Sequence, residues 1–373
     1  MSSLNLDDFS DLIERPDGGV RRDAEARRER QIVPPGSLGR LDELGEWLAA
    51  AQSAVPVRAI ERPRVLLFAG DHGVAELGVS ARAPGSADQL VRAVLDGASP
   101  GAVLARRLGV PVRVVDMALD CEPETLPDEV VRHRVRRGSG QIDVEDALTI
   151  EEAEAAFRAG VALADAEADS GTDLVVLGDV SVGGTTAAAV LIAALCGTDA
   201  SVVTGRGGRA IDDLAWMRKC AAVRDALRRA RPVLGDQLQL LATVGGADLA
   251  AMTGFLLQSA VRKTPVILDG VVSAACALVG QRVAFRAPDW WLAGQNSGEP
   301  AQAKALDRMA LEPLLDHGVT VGEGAGALLA LPLVQAAAAL AAELPEESEP
   351  EESKGSEDPE DPEPLEAQGP DGV

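Results

Sequence analysis

With 373 residues, 46% of them apolar, the chain is long enough for one large domain or two modest ones around a sizeable core. Aromatics make up only 2% and Tyr is absent, so that core must be built from Ala, Val, Leu and Ile. The formal net charge is −24, and the stretch from Glu343 onward holds thirteen acidic residues against one Lys, about half of it. The remaining body is moderately acidic without a basic stripe, which argues against a nucleic-acid partner.

The N-terminus, "MSSLNLDDFSDLIE", is acidic and lacks the apolar core of a signal peptide. Residues 1–60 then offer two helix-like segments, "RRDAEARRERQIV" and "SLGRLDELGEWLAAAQ", joined by "PPG". They predict the N-terminal part of a small helical domain. From residue 61 to 320, short β-branched runs alternate with Ala/Leu-rich helical ones. The predicted strands are "RVLLFA" (64–69), "VPVRVVDM" (110–117), "DLVVLGD" (173–179), "ASVVTG" (200–205) and "PVILDGVV" (265–272), with "QRVAFRA" (281–287) a weaker sixth. Helix-length segments such as "TIEEAEAAFRAGVALADAEA" and "DDLAWMRKCAAVRDALRRA" separate them. This alternation predicts an α/β fold, a doubly wound, mostly parallel, Rossmann-like sheet with helices on both faces. The near-continuous apolar strands fit burial on both sides.

Residues 321–342 predict a Gly-rich loop and a C-terminal helix returning to the small domain. The apolar run "ALLALPLVQAAAALAA" is interrupted by Pro332 and Gln335 and reads as a buried helix, not a membrane span. The acidic, Pro-rich segment 343–373 has almost no apolar content and is expected to be disordered. Cys121, Cys196, Cys220 and Cys276 include no C-x-x-C pair, consistent with a reduced, cytoplasmic protein.

Ligands of doubly wound sheets bind beyond the carboxyl ends of the strands, and four polar or Gly-rich loops fall there. The first, "FAGDHGVAELGVSA", places Asp71 and His72 directly after a strand. They read equally well as substrate contacts or as a strand-end turn in which Asp71 caps amides and His72 is a satisfied polar group. No metal-ligand spacing surrounds His72, and no metal is expected. The second, "LGDVSVGGTTAAAVLIAAL", ends a strand at Asp179 and turns through Gly183 and Gly184 into a helix carrying Thr185. Such a turn admits an anion onto helix amides, and a phosphate monoester is the favoured guest over a bare βα turn. It lacks the Lys of a P-loop.

The third loop, "VVTGRGGRAIDDLAWMRK", includes Gly207 and leads to Lys219 one helix later. Lysine is rare, four against 31 Arg. Lys219 reads either as a retained point charge for phosphate or as a solvated helix lysine. The fourth, "VTVGEGAGALLALP", holds Glu323 between Gly322 and Gly324 in small apolar surroundings. Two readings stand: a general base whose proton affinity is raised by desolvation, or a carboxylate capping the helix from Gly324 onward.

In order along residues 31–335, "PPGSLGRLDELGEWLA", "FAGDHGVAELGVSA", "GDVSVGGTTAAA", "TGRGGR", "PVILDGVVSAACAL" and "VTVGEGAGA" resemble the nicotinate-nucleotide:dimethylbenzimidazole phosphoribosyltransferase family. The resemblance implies a homodimer, no cofactor, and transfer of phosphoribose from nicotinate mononucleotide to 5,6-dimethylbenzimidazole. The products are α-ribazole 5′-phosphate and nicotinate, with inversion at C1′. By the same resemblance Glu323 is the catalytic base, Ser80 and Gln89 belong to the base pocket, Asp179 is the acidic residue of the first Gly-rich segment, and Lys219 binds phosphate. Gly183, Gly184, Thr185, Gly207 and Gly322 complete the expected substrate contacts. The chain departs from the family pattern in three places: Arg82 replaces the usual aromatic, Gly184 the usual Asn, and Asp179 the commoner Glu. The alternatives are a transferase for another azole or purine-like base, or a non-catalytic nucleotide sensor.

Overall fold

A computed structural model describes residues 5–34, 36–207 and 210–347. Its centre is a six-stranded sheet: β1 Pro63–Asp71, β2 Val112–Ala118, β3 Leu174–Val182, β4 Val266–Leu268, β5 Trp291–Asn296 and β6 Pro313–Asp316. The strand order is β2-β1-β3-β4-β5-β6, and every pairing is parallel. The α/β, doubly wound architecture expected from the alternation is therefore present. The chain winds outward in opposite directions from the adjacent strands β1 and β3, which creates a crevice at their carboxyl ends.

The two faces of the sheet carry separate apolar layers. One is dominated by the helices Ile150–Asp169, Gly184–Cys196, Ala247–Val261 and Gly270–Val283. The other receives Ala327, Leu328, Leu331 and Val334 from the helix Ala325–Glu343, with Leu48 and Ala49 from the helix Arg40–Gln52. The first helix of the N-terminal pair, Gly18–Glu29, is capped by Asp17, whose Oδ1 accepts from the Gly19 amide at 2.8 Å. Ala325–Glu343 is long and apolar enough to cross a membrane by length and composition alone, and half of that stretch is buried against the sheet and its neighbours.

Two expected strands are corrected. Residues 200–205 form a short helix, Ala200–Val203, in which the Thr204 hydroxyl donates back to the Ala200 carbonyl at 2.7 Å. No position lies open between β3 and the next strand in the chain, because β3 pairs directly with β4. Residues 281–287 begin as the last turn of Gly270–Val283 and continue into a 3-10 turn at Ala287–Trp290. The run 265–272 is strand only as far as Leu268; Gly270, with φ +71°, then starts a helix that takes in Val271 and Val272.

The last two strands, β5 "WLAGQN" and β6 "PLLD", did not stand out in the sequence. The first mixes Gly, Gln and Asn into a buried strand. The second is four residues long at the sheet edge, where a leading Pro is tolerated. The acidic segment is placed only at its start: Glu346 pairs with Arg27 at 3.2 Å and with Arg30 at 2.8 Å. The rest of the expected disordered tail, from residue 348, lies outside the described residues.

Candidate active site

A cleft of about 240 Å³ opens at the carboxyl ends of β3, β4 and β5. Its walls include Asp179 and Ser181 from β3, Thr185 from the following helix, and Gly270–Val272 after β4. Ser297 and Glu299 follow β5, residues 319–323 close one side, and Ala81, Arg82 and Leu90 come from the segment after β1.

Glu323 enters this cleft from an unusual backbone. Gly322, Glu323 and Gly324 are all left-handed, with φ of +74°, +60° and +72°. A non-glycine residue there is strained by about 1 kcal/mol or more, and such strain concentrates at functional sites. The Glu323 amide donates to the Asp179 carbonyl at 3.1 Å. Its carboxylate Oε2 accepts from the Gly101 amide at 3.0 Å, and the residue is only 5% exposed. Oε1 has no protein donor among the described residues. The carboxylate therefore does meet a helix N-terminus, that of Pro100–Leu108. The helix it was expected to cap as an alternative, Ala325–Glu343, is served instead by Asp269, whose Oδ1 accepts from the Ala327 amide at 3.0 Å.

Gly101 permits the approach of Glu323. A Cβ at position 101 would lie 2.3 Å from the Glu323 carbonyl oxygen and 2.8 Å from its Cβ. Neither Gly101 nor Asp269 was singled out from the sequence. Asp269 carried the same signal as Asp71 and Asp179, an acidic residue closing an apolar strand, whereas Gly101 carried none beyond a Pro-Gly helix start.

Asp179 accepts from the Ser181 hydroxyl at 2.6 Å. Burial pushes its carboxyl up to about 6 against the pull of that hydrogen bond, with the charges of Asp248 and Glu323 adding to the rise. Asp269, 2% exposed, is pushed up to about 7 by burial, although amides at the start of the last helix draw it back. Two neighbouring carboxyls at this edge thus titrate near neutrality.

The phosphate-like loops differ from each other. Gly183, φ +91°, turns the chain into the helix Gly184–Cys196. Thr185 lines the cleft from its first turn, and the Lys219 ammonium donates to the Thr185 hydroxyl at 2.9 Å. Lys219 is 3% exposed, so the solvated-lysine reading is corrected. Burial lowers its pKa, opposed by the charge of Glu299. The Gly207 amide, by contrast, is already engaged, donating to Glu299 Oε1 at 2.7 Å. Gly184 has a steric reason as well: a Cβ there would lie 2.2 Å from the Ser181 hydroxyl oxygen.

The other expected contacts are scattered. Ser80 accepts from the Arg82 amide at 3.2 Å, and Gln89 is exposed on the helix Ala87–Leu95; neither lines the cleft, although Ala81, Arg82 and Leu90 beside them do. Asp71 is a structural clamp, accepting from the amides of Ala87 at 3.2 Å and Asp120 at 2.9 Å. His72 is buried against Asp248, with Nε2 and Oδ2 3.1 Å apart. Burial opposes its protonation, but the carboxylates of Asp248, Asp71 and Asp179 together raise the imidazole above its ordinary 6.5. For both residues the geometry favours the structural role over substrate contact. Among the described residues no cluster of His, Cys, Asp and Glu is arranged to hold a metal ion.

Sheet, crevice and convergent carboxylates define a doubly wound α/β protein whose strand ends form a small-molecule site. The chain belongs to the phosphoribosyltransferase family, whose model matches residues 13–350. It is 92% identical over 345 residues to a nicotinate-nucleotide–dimethylbenzimidazole phosphoribosyltransferase of Streptomyces avermitilis, covering 92% of each chain. The protein of the same name from Mycolicibacterium paratuberculosis is 51% identical over 88% of this chain and 93% of its own. Among solved structures, that of CobT from Thermus thermophilus superposes with a TM-score of 0.82 at 37% identity, covering 87% of this chain and 96% of the other.

Proposed function

We propose that the protein transfers the phosphoribosyl group of nicotinate mononucleotide to 5,6-dimethylbenzimidazole, with Glu323 as general base. The observation that carries the reading is the Glu323 carboxylate in the cleft, steadied through Oε2 by Gly101 and leaving Oε1 without a protein donor among the described residues. The 92% identity to a relative named for this reaction supports the choice of substrates.

The pyridinium of the nucleotide leaves with the electron pair of its C1′–N bond and needs no proton. The lone-pair nitrogen of the benzimidazole attacks C1′ from the opposite face, which inverts β to α. Its other nitrogen becomes more acidic as the ring gains positive charge, and Glu323 takes that proton. The carboxylates of Glu323 and Asp179 stand where positive charge develops.

The 5′-phosphate is assigned to the turn at Gly183, Gly184 and Thr185, with Lys219 behind it. This remote grip positions C1′ between the two rings. Gly322 serves through its conformation. Gly207, whose amide holds Glu299, is assigned to shaping the cleft wall rather than to the phosphate. Ser80 and Gln89 are assigned to the outer part of the base pocket, beside Ala81 and Leu90.

We read the chain as a cytoplasmic homodimer built from a small helical domain and an α/β catalytic domain. Exposed Leu214 and Met217, three positions apart on one helix, offer an apolar strip for a second copy. The four cysteines are unpaired, as in a reducing compartment. The decisive measurement is nicotinate release from nicotinate mononucleotide with dimethylbenzimidazole supplied and withheld. Release that depends on the base supports the transferase. Nucleotide binding with no release would favour the sensor. Equal turnover with adenine would favour a transferase of wider base range.

A further inference from the structure

The wall formed by residues 319–323 is pinned from outside the cleft. Gln295, near the end of β5, does not line the cleft and is 1% exposed. Its side-chain amide meets the backbone of Val319 as a neighbouring strand would. Oε1 accepts from the Val319 amide at 3.1 Å, and Nε2 donates to the Val319 carbonyl at 2.5 Å. The same side chain lies against the other stem of the loop, where a Cβ on Gly326 would stand 2.5 Å from its Cγ and from its Nε2. Its backbone is fixed in turn, because Gln302 Nε2 donates to the Gln295 carbonyl at 2.9 Å. A buried amide side chain costs stability unless its groups are paired, and both groups of this one are spent on a single residue of the loop that carries Glu323.

We propose that Gln295 is a positioning residue for the transfer, closing the base of the loop from Val319 to Gly326 so that the Glu323 carboxylate keeps its place in the cleft. The assignment rests on the reaction proposed above, and the loop's own backbone shows why it needs the closure. Thr320, Val321 and Gly322 donate no amide hydrogen bond to the described residues, and Val321 is 47% exposed. Gly322, Glu323 and Gly324 are all left-handed. A strained backbone persists where its surroundings over-determine it. On the downstream side Glu323 anchors itself, through its amide to the Asp179 carbonyl and its carboxylate to the Gly101 amide. On the upstream side the Gly318 amide reaches the Asn296 carbonyl at 3.1 Å, and Gln295 then holds both backbone groups of Val319. Without that hold, four residues could relax and carry the base away from the reacting nitrogen. Gln295 touches no substrate in this arrangement; it acts through Glu323.

The test measures nicotinate release by the wild type, Gln295→Met, Gln295→Glu, Glu323→Gln and the double variant of Gln295→Met with Glu323→Gln, each well below its Tm. Met matches the length of the side chain but pairs with neither group of Val319. Its kcat should fall by about 10- to 100-fold, the worth of a displacement of about 1 Å, with the KM for the nucleotide changed by less than about threefold. In the Glu323→Gln background the same substitution should cost no more than about threefold, because no base is left to position. Gln295→Glu restores the contact by a second route. A neutral carboxyl can accept from the Val319 amide and donate to its carbonyl, whereas a carboxylate cannot donate. This variant should therefore keep most of the wild-type kcat at the acid end of the pH profile. An unchanged kcat in Gln295→Met, an equal loss in both backgrounds, a loss confined to KM, or a low relative kcat of Gln295→Glu at the acid end would each overturn the assignment. A wild type that releases no nicotinate would instead reject the underlying transferase reading.

Discussion

Glu323 and Gly101, brought together from distant parts of the chain, meet at 3.0 Å between carboxylate and amide. The contact fixes one oxygen of the carboxylate and leaves the other without a protein donor among the described residues. The proposed reaction makes its consequences measurable.

Glu323→Gln keeps the size and hydrogen-bonding reach of the side chain but cannot accept the benzimidazole proton. Turnover should fall by about 10²- to 10⁴-fold, the usual worth of a general base. Affinity for both substrates, measured by calorimetry, should stay close to that of the wild type. Full turnover in the variant would end the general-base assignment.

Gly101→Ala changes no chemical group in the cleft, yet its Cβ would lie 2.3 Å from the Glu323 carbonyl oxygen. The loop must shift, and displacement of about 1 Å can cost about 100-fold in rate. The expected signature is a large loss of kcat with a modest fall in Tm. Wild-type kcat would show that the Glu323 position tolerates movement.

Lys219→Ala removes the ammonium behind Thr185. We expect kcat/KM for the nucleotide to fall by about 10- to 100-fold, with a higher KM and some loss of kcat, because the grip on the phosphate also positions C1′. Steady-state kinetics with each substrate varied in turn separates the two. An unchanged KM would make the lysine a purely structural partner of Thr185.

Asp269 gives a stability test whose sign follows from its pKa. Its carboxyl titrates near 7 in the folded chain against an ordinary 3.8. Between those values the folded state holds a proton that the unfolded state has released, so this residue's contribution to stability falls as pH rises from about 4 to 7. Asp269→Asn removes the titration and leaves an oxygen for the Ala327 amide. The Tm of the variant minus that of the wild type should therefore climb over this window and level off above it. A difference that stays flat with pH would mean that Asp269 is ionised throughout.

The sheet was legible where strands are buried on both faces. β1, β2 and β3 are each built around a short run of Val and Leu and were anticipated to within three residues at either end. The same criterion misread "ASVVTG", whose β-branched residues pack as a helical turn with Val203 inward and Val202 exposed. Glu323 was legible because a lone carboxylate between glycines is anomalous. Its partner was not, since only the folded sheet brings residue 101 to residue 323. Lys219 was noticed for its rarity, but burial against Thr185 is a property of the packed helices.

The crowding of Ser181 against position 184 also constrains how this site can have diverged. A side chain at 184 would need the space its Cβ cannot share with the Ser181 hydroxyl, 2.2 Å away. Asn, the residue usual at 184 in the resembled pattern, therefore needs Ser181 to give way, either by swinging its hydroxyl off Asp179 or by shrinking to Gly. Shrinking position 181 first is then the lower-cost route between the two arrangements. The two sites should vary as a linked pair, and a Gly184→Asn change that fails in this background should succeed once Ser181 is Gly.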